Sequence, residues 1–145
     1  MRIVGEWRKC FDGVVRPMVA IDVTSAAGTT VEEAFLVDSG ADATAFSADL
    51  LATLGDATAQ AVAGVSIAGV GGLQTYVQVQ ATLNLRRTDG GTATVLASFA
   101  AFTDPKATDF SILGRDVLDH FDVILSRRCD ELLLLAPPSR YDIQP

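Results

Sequence analysis

Asp38, Ser39 and Gly40 are the residues best suited to chemistry. They end the apolar run Phe35-Leu36-Val37 and are followed by Ala41. Burial penalises an ionised carboxylate heavily unless partners or chemistry compensate. An acid at the mouth of a buried strand, backed by a small hydroxyl and a glycine, suits the activation of water for hydrolysis. A carboxylate can act as general base on water, and two that share a proton can at the same time polarise a carbonyl. Glycine lets such a loop turn tightly and brings backbone N–H groups close to the carboxylate. Taken alone, an Asp-Ser-Gly triplet also marks ordinary turns, such as a strand ending in an Asx-turn.

Two other segments bear on the choice. Ser111-Ile112-Leu113-Gly114-Arg115-Asp116 is a second apolar run that ends in a glycine and two charges at the start of a helix. By itself this reads equally as a solvated first helical turn. Gly69-Val70-Gly71-Gly72 lies between strand-like flanks, which suits a hairpin tip that must bend. A phosphate-cradling loop is disfavoured, because no Lys-Ser/Thr follows and no helix flanks it. A plain hairpin turn is the simple alternative.

In their order along the chain these segments resemble the retropepsin-like aspartic proteases, a likeness running from about Pro17 to Leu135. The resemblance implies a mostly β acid-protease domain, a closed antiparallel β barrel-like fold with two short helices and a flap hairpin. It implies catalysis by Asp38, Ser39 and Gly40, with no metal or other cofactor. Substrate would meet Ala41, Asp42, Ile112 and the flap residues Gly69, Val70, Gly71 and Gly72. Gly114 and Arg115 would support the site, Arg115 by an ion pair to Asp42.

The chain departs from the viral pattern in three ways. It has Ser39 where threonine is commoner, it is longer, and it continues through Phe121–Leu125 into a strand at Glu131–Leu135 as cellular members do. It carries one such triplet, since Asp22, Asp104 and Asp109 lie in no second one. The resemblance therefore implies a homodimer with one Asp38 from each chain, acting on a peptide or protein. The competing reading is a catalytically inactive domain of the same fold. It would bind a peptide or partner by strand addition, in the groove under the flap or along Leu132–Leu135, a run that reads most simply as a buried strand and alternatively as an exposed edge. A third reading is an assembly domain whose dimer is its function.

The elements that must position these residues follow from local pattern. Pro17–Thr24 and Val31–Val37 read as a hairpin across the turn Ala26-Ala27-Gly28-Thr29. Ser47 caps a helix over Ala48–Leu54, which stops at Gly55. Ala61–Leu85 is strand-like, and Val77, Val79, Ala81, Leu83 and Leu85 alternate strictly with polar residues. Thr92–Phe102 pairs with it across Asp89-Gly90-Gly91. Ser111–Leu113 is a short buried strand, Asp116–Phe121 a helical turn or two, and Val123–Leu125 with Glu131–Leu135 a terminal hairpin.

Composition bounds the alternatives. The 145 residues are read as one domain with a core over about 17–135. A net charge of −7 argues against nucleic acid as partner. Two cysteines 119 positions apart, Cys10 and Cys129, and one histidine, His120, make a zinc site improbable. Trp7 and the N-terminal charges do not form a signal peptide, and no apolar run nears the ~20 residues that cross a bilayer. A cytoplasmic protein with reduced thiols and no membrane partner is expected.

Overall fold

The computed structural model describes residues 1–55, 59–69, 72–140 and 142. Two sheets and two short helices organise them. The larger sheet contains β2 (Glu6–Lys9), β3 (Val15–Ser25), β4 (Thr30–Val37), β5 (Ala45–Phe46), β6 (Ala59–Gly69), β7 (Gly72–Arg86), β8 (Thr92–Phe102) and β9 (Ser111–Leu113). Its order is β2-β3-β4-β9-β5-β8-β7-β6, and a further β3–β7 pairing turns it back on itself. The strands β3, β4, β9, β5, β8 and β7 thus form a barrel-like ring. The smaller sheet joins the chain ends, in the order β1 (Arg2–Val4), β11 (Glu131–Leu135), β10 (Asp122–Ser126).

The core fills the ring. Phe35, Phe46 and Phe99 are fully enclosed, with Phe46 edge-on to Phe35 at 5.9 Å and stacked on Phe99 at 5.3 Å. Each such side chain contributes roughly 1.5–3 kcal/mol through burial alone. The alternation seen in the sequence of β7 is real: Val79, Ala81, Leu83 and Leu85 all face this core. Helix α1 (Ala48–Leu54) closes one side with Leu50, Leu51 and Leu54. Its Ser47 side chain accepts the Leu50 N–H, and Gly55 ends it at φ 95°, a conformation that favours glycine.

The N-terminal residues make strands that sequence pattern did not reveal. Ile3 is buried in the core, and Gly5 is the joint between the two sheets. A Cβ on Gly5 would lie 2.6 Å from both Leu132 Cδ2 and the Met18 carbonyl, so only glycine fits there. Trp7 Nε1 donates to the Glu131 carbonyl at 3.0 Å, fastening β2 to the C-terminal hairpin.

The smaller sheet bears out the simpler reading of Leu132–Leu135, a buried strand, over its alternative. Leu132–Leu135 is no exposed edge, because β11 is paired on both sides, by β1 and by β10. Leu132 and Leu134 are fully buried. Strand addition along β11 is therefore closed. Cys10 and Cys129 are free thiols, and no helix is long and apolar enough to cross a membrane.

Candidate active site

Asp38 follows directly from β4, whose Phe35 and Val37 point into the core. That strand runs parallel to β9, pairing Phe35 with Ser111, Leu36 with Ile112 and Val37 with Leu113. The ladder continues one step further: the Asp38 N–H donates to the Leu113 carbonyl at 3.1 Å. Asp38 Oδ1 accepts the Gly40 N–H at 2.9 Å, and the Asp38 carbonyl accepts the Ala41 N–H at 3.2 Å. The loop thus folds tightly around its own carboxylate, which remains half-exposed, while Ser39 and Gly40 are exposed.

Helix α2 (Arg115–Leu118) anchors the rest of the loop. The Arg115 N–H donates to the Ala41 carbonyl at 2.9 Å and the Asp116 N–H to the Asp42 carbonyl at 3.2 Å. Arg115 also makes the expected ion pair with Asp42. That carboxylate, by its hydrogen bond first and its charge second, holds the guanidinium above its ordinary value.

Gly114 fits where no other residue does. A Cβ there would lie 2.4 Å from the Ala43 carbonyl carbon and 2.6 Å from its oxygen, so the two segments touch backbone to backbone.

Two residues that sequence reasoning missed complete the anchor. Thr44 is 1% exposed. Its hydroxyl donates to Asp116 Oδ1 at 2.6 Å and accepts the Gly114 N–H at 3.0 Å. Asp116 Oδ1 also accepts the Thr44 N–H at 2.8 Å. Asp116 is therefore a clasp, where an isolated reading made it a solvated helix start. The available signal was an acid in the first turn of a helix packed against a loop with free N–H groups.

The structure brings Asp38, Gly40, Ala41, Asp42, Gly114 and Arg115 into one hydrogen-bonded unit. Ile112 sits beside Leu36 and opposite Ala45, half-buried on the sheet face away from Ser111 and Leu113. Gly69 and Gly72 pair with each other at the end of the β6–β7 hairpin, while Val70 and Gly71 lie outside the described residues. His120 is exposed just beyond α2 and borders a shallow depression with Met1, Leu96 and Phe121 that shares no residue with the Asp38 loop. Among the described residues no cluster of His, Cys, Asp and Glu is arranged to hold a metal ion.

Known proteins resemble this chain in family and in fold. The family model described as retroviral aspartyl protease matches residues 14–126. None of the curated proteins matches the chain in sequence. Among solved structures, a retropepsin-like aspartic protease from Rickettsia conorii is similar at 16% identity and TM-score 0.57, over 92% of this chain and 90% of its own. The EIAV protease complexed with the inhibitor HBY-793 is similar at 22% identity and TM-score 0.52, over 72% of this chain and 86% of its own. At these identities the likeness is one of fold.

Proposed function

Since the chain belongs to the retroviral aspartyl protease family and is an aspartic-type peptidase, we propose that its working unit is a homodimer in which each copy supplies one Asp38. One observation carries this reading. Each chain holds a single Asp-Ser-Gly loop, fastened by β9 and α2, whereas the chemistry takes two carboxylates a few Å apart. A two-fold axis beside Asp38 supplies the second.

In that unit the two Asp38 side chains titrate as a pair and hold one proton between them. The ionised carboxylate takes a proton from water as the water oxygen adds to the peptide carbonyl carbon. The protonated carboxyl gives its proton to the carbonyl oxygen. The resulting gem-diol collapses: one of its hydroxyls returns a proton to the ionised carboxylate as the carbonyl re-forms, the C–N bond breaks, and the leaving nitrogen takes the proton of the other carboxyl, so the pair again holds one proton. No cofactor enters this sequence. The Ser39 hydroxyls brace the two loops, and Gly40 offers its carbonyl to the substrate backbone. Ala41, Asp42 and Ile112 border the groove, where Ala41 and Ile112 favour apolar side chains, and Gly69, Val70, Gly71 and Gly72 act as the flap. The thiols of Cys10 and Cys129 suit a reducing, cytoplasmic setting.

The test is cleavage of a mixed peptide library by wild type and Asp38→Asn, over about pH 4–7 and a dilution series. Cleavage is expected to vanish in Asp38→Asn while the dimer persists in sedimentation. Wild-type activity per chain is expected to fall on dilution. Absence of cleavage by either protein would replace this reading with an inactive binding domain of the same fold.

A further inference from the structure

A second carboxylate on the Asp38 strand faces inward. Along β4 the alternation Val31, Glu33, Phe35, Val37 places Glu33 among core residues, and it is half-buried. Its Oε1 accepts a hydrogen bond from Ser111 Oγ at 2.8 Å. The same Ser111 oxygen accepts the Ser47 N–H at 3.0 Å and lies 3.4 Å from Ser47 Oγ. Ser47 in turn caps α1. Both serines are buried, at 0% and 5% exposure. One carboxyl group therefore ties together β4, β9 and the start of α1. Strand β9 is the one whose Leu113 carbonyl holds the Asp38 N–H.

We propose that Glu33 is a positioning residue of the active site: through Ser111 and Ser47 it seats β9 and the start of α1 against β4, and that seating depends on whether Glu33 carries its proton. The proposal rests on the dimeric-protease reading above for its effect on catalysis.

The chemistry of the site gives the direction. A protonated Glu33 keeps one oxygen as acceptor for Ser111 and adds no charge to a half-buried site. An ionised one carries a charge whose facing charged neighbour is Asp49 of α1, of the same sign. On β3 the residue opposite is Ile21, and on β9 it meets Ser111. Desolvation first, and then the field of Asp49, push the Glu33 carboxyl above its ordinary value, against the hydrogen bonds of Ser111 and Ser47. The folded chain therefore binds this proton more tightly than the unfolded chain. The resulting stabilisation is complete below the ordinary glutamate value and is lost as pH rises through the raised one. The well-seated state coincides with the mildly acidic range in which an aspartate pair retains its single proton.

Glu33→Gln keeps an acceptor for Ser111 and cannot ionise, so it isolates the proton. With wild type and variant normalised at about pH 4.5, kcat/KM of Glu33→Gln is expected to be about threefold ahead at about pH 7. In a Ser111→Ala background this advantage should disappear, since the route to β9 is cut. Superimposable pH profiles, or an advantage that survives Ser111→Ala, would overturn the proposal even if thermal stability changes. If neither protein cleaves any peptide, the protease reading fails separately, and amide hydrogen exchange decides this one. At neutral pH the Ser47 and Asp38 amides should exchange more slowly in Glu33→Gln than in wild type, and equal rates would sink it.

Discussion

The loop from Asp38 to Thr44 is fastened to α2 on two sides, and the two sides differ in kind. On the outer side Arg115 pairs with Asp42, with side chains 52% and 85% exposed. On the inner side Thr44, Gly114 and Asp116 share three hydrogen bonds around a hydroxyl that water does not reach. Water and ions compete freely with the outer contact and screen it. A buried donor on the inner side has no such substitute, so losing its partner costs its full desolvation. The conspicuous ion pair should therefore matter less to the fold than the buried hydrogen bonds behind it.

The comparison breaks first at Gly114. Gly114→Ala puts a methyl group against the Ala43 backbone, which cannot yield as a flexible side chain would. It is expected to cost about 3 kcal/mol or more and to abolish cleavage, or to prevent folding altogether. Urea unfolding and peptide cleavage read both, and a fully stable, active Gly114→Ala protein would mean that the two segments are not in backbone contact. Thr44→Val ranks next. It preserves shape but leaves the buried Gly114 N–H without its acceptor and takes one donor from Asp116. A loss of about 1–3 kcal/mol is expected in the same urea measurement. Thr44→Ser, which keeps the hydroxyl, should recover most of it.

What the sequence disclosed follows the range of the forces involved. Helix α1 was legible with its ends, because Ser47 and Gly55 act within a few residues of themselves. The β7–β8 hairpin was legible because alternation and the turn at Asp89-Gly90-Gly91 are local as well. The pairing of the Asp38 segment with the Gly114 segment spans about seventy positions and was legible only through family resemblance. Strand β5, two residues long, and β1, with Ile3 alone facing inward, are too short to carry a period. Their positions are set by partners far along the chain, Ile112 for one and Leu133–Leu135 for the other. Thr44 and Glu33 were hidden for a different reason. A buried threonine hydroxyl and an inward carboxyl look like surface residues until their partners, Asp116 and Ser111, are known. In Glu33 the strand alternation did hold the clue, since it falls between Val31 and Phe35 on the apolar face.

The smallest expected effect is at the ion pair, and it sharpens the comparison most. Asp42→Asn and Arg115→Gln, singly and together, form a double-mutant cycle. Because both groups stand in water, stability should change little in either single variant. The coupling that is measured should shrink as salt is added, while the Thr44 effect should not respond to salt. The backbone bonds from the Arg115 and Asp116 N–H groups to the Ala41 and Asp42 carbonyls persist in every variant of the cycle and keep the loop seated. A large, salt-resistant coupling would show that the pair is shielded from water in the working protein. Dimerisation covering Asp42 is the change that would shield it, so the cycle should be run above and below the concentration at which the protein associates. A coupling that grows only in the associated form would place Asp42 and Arg115 at the junction of the two chains.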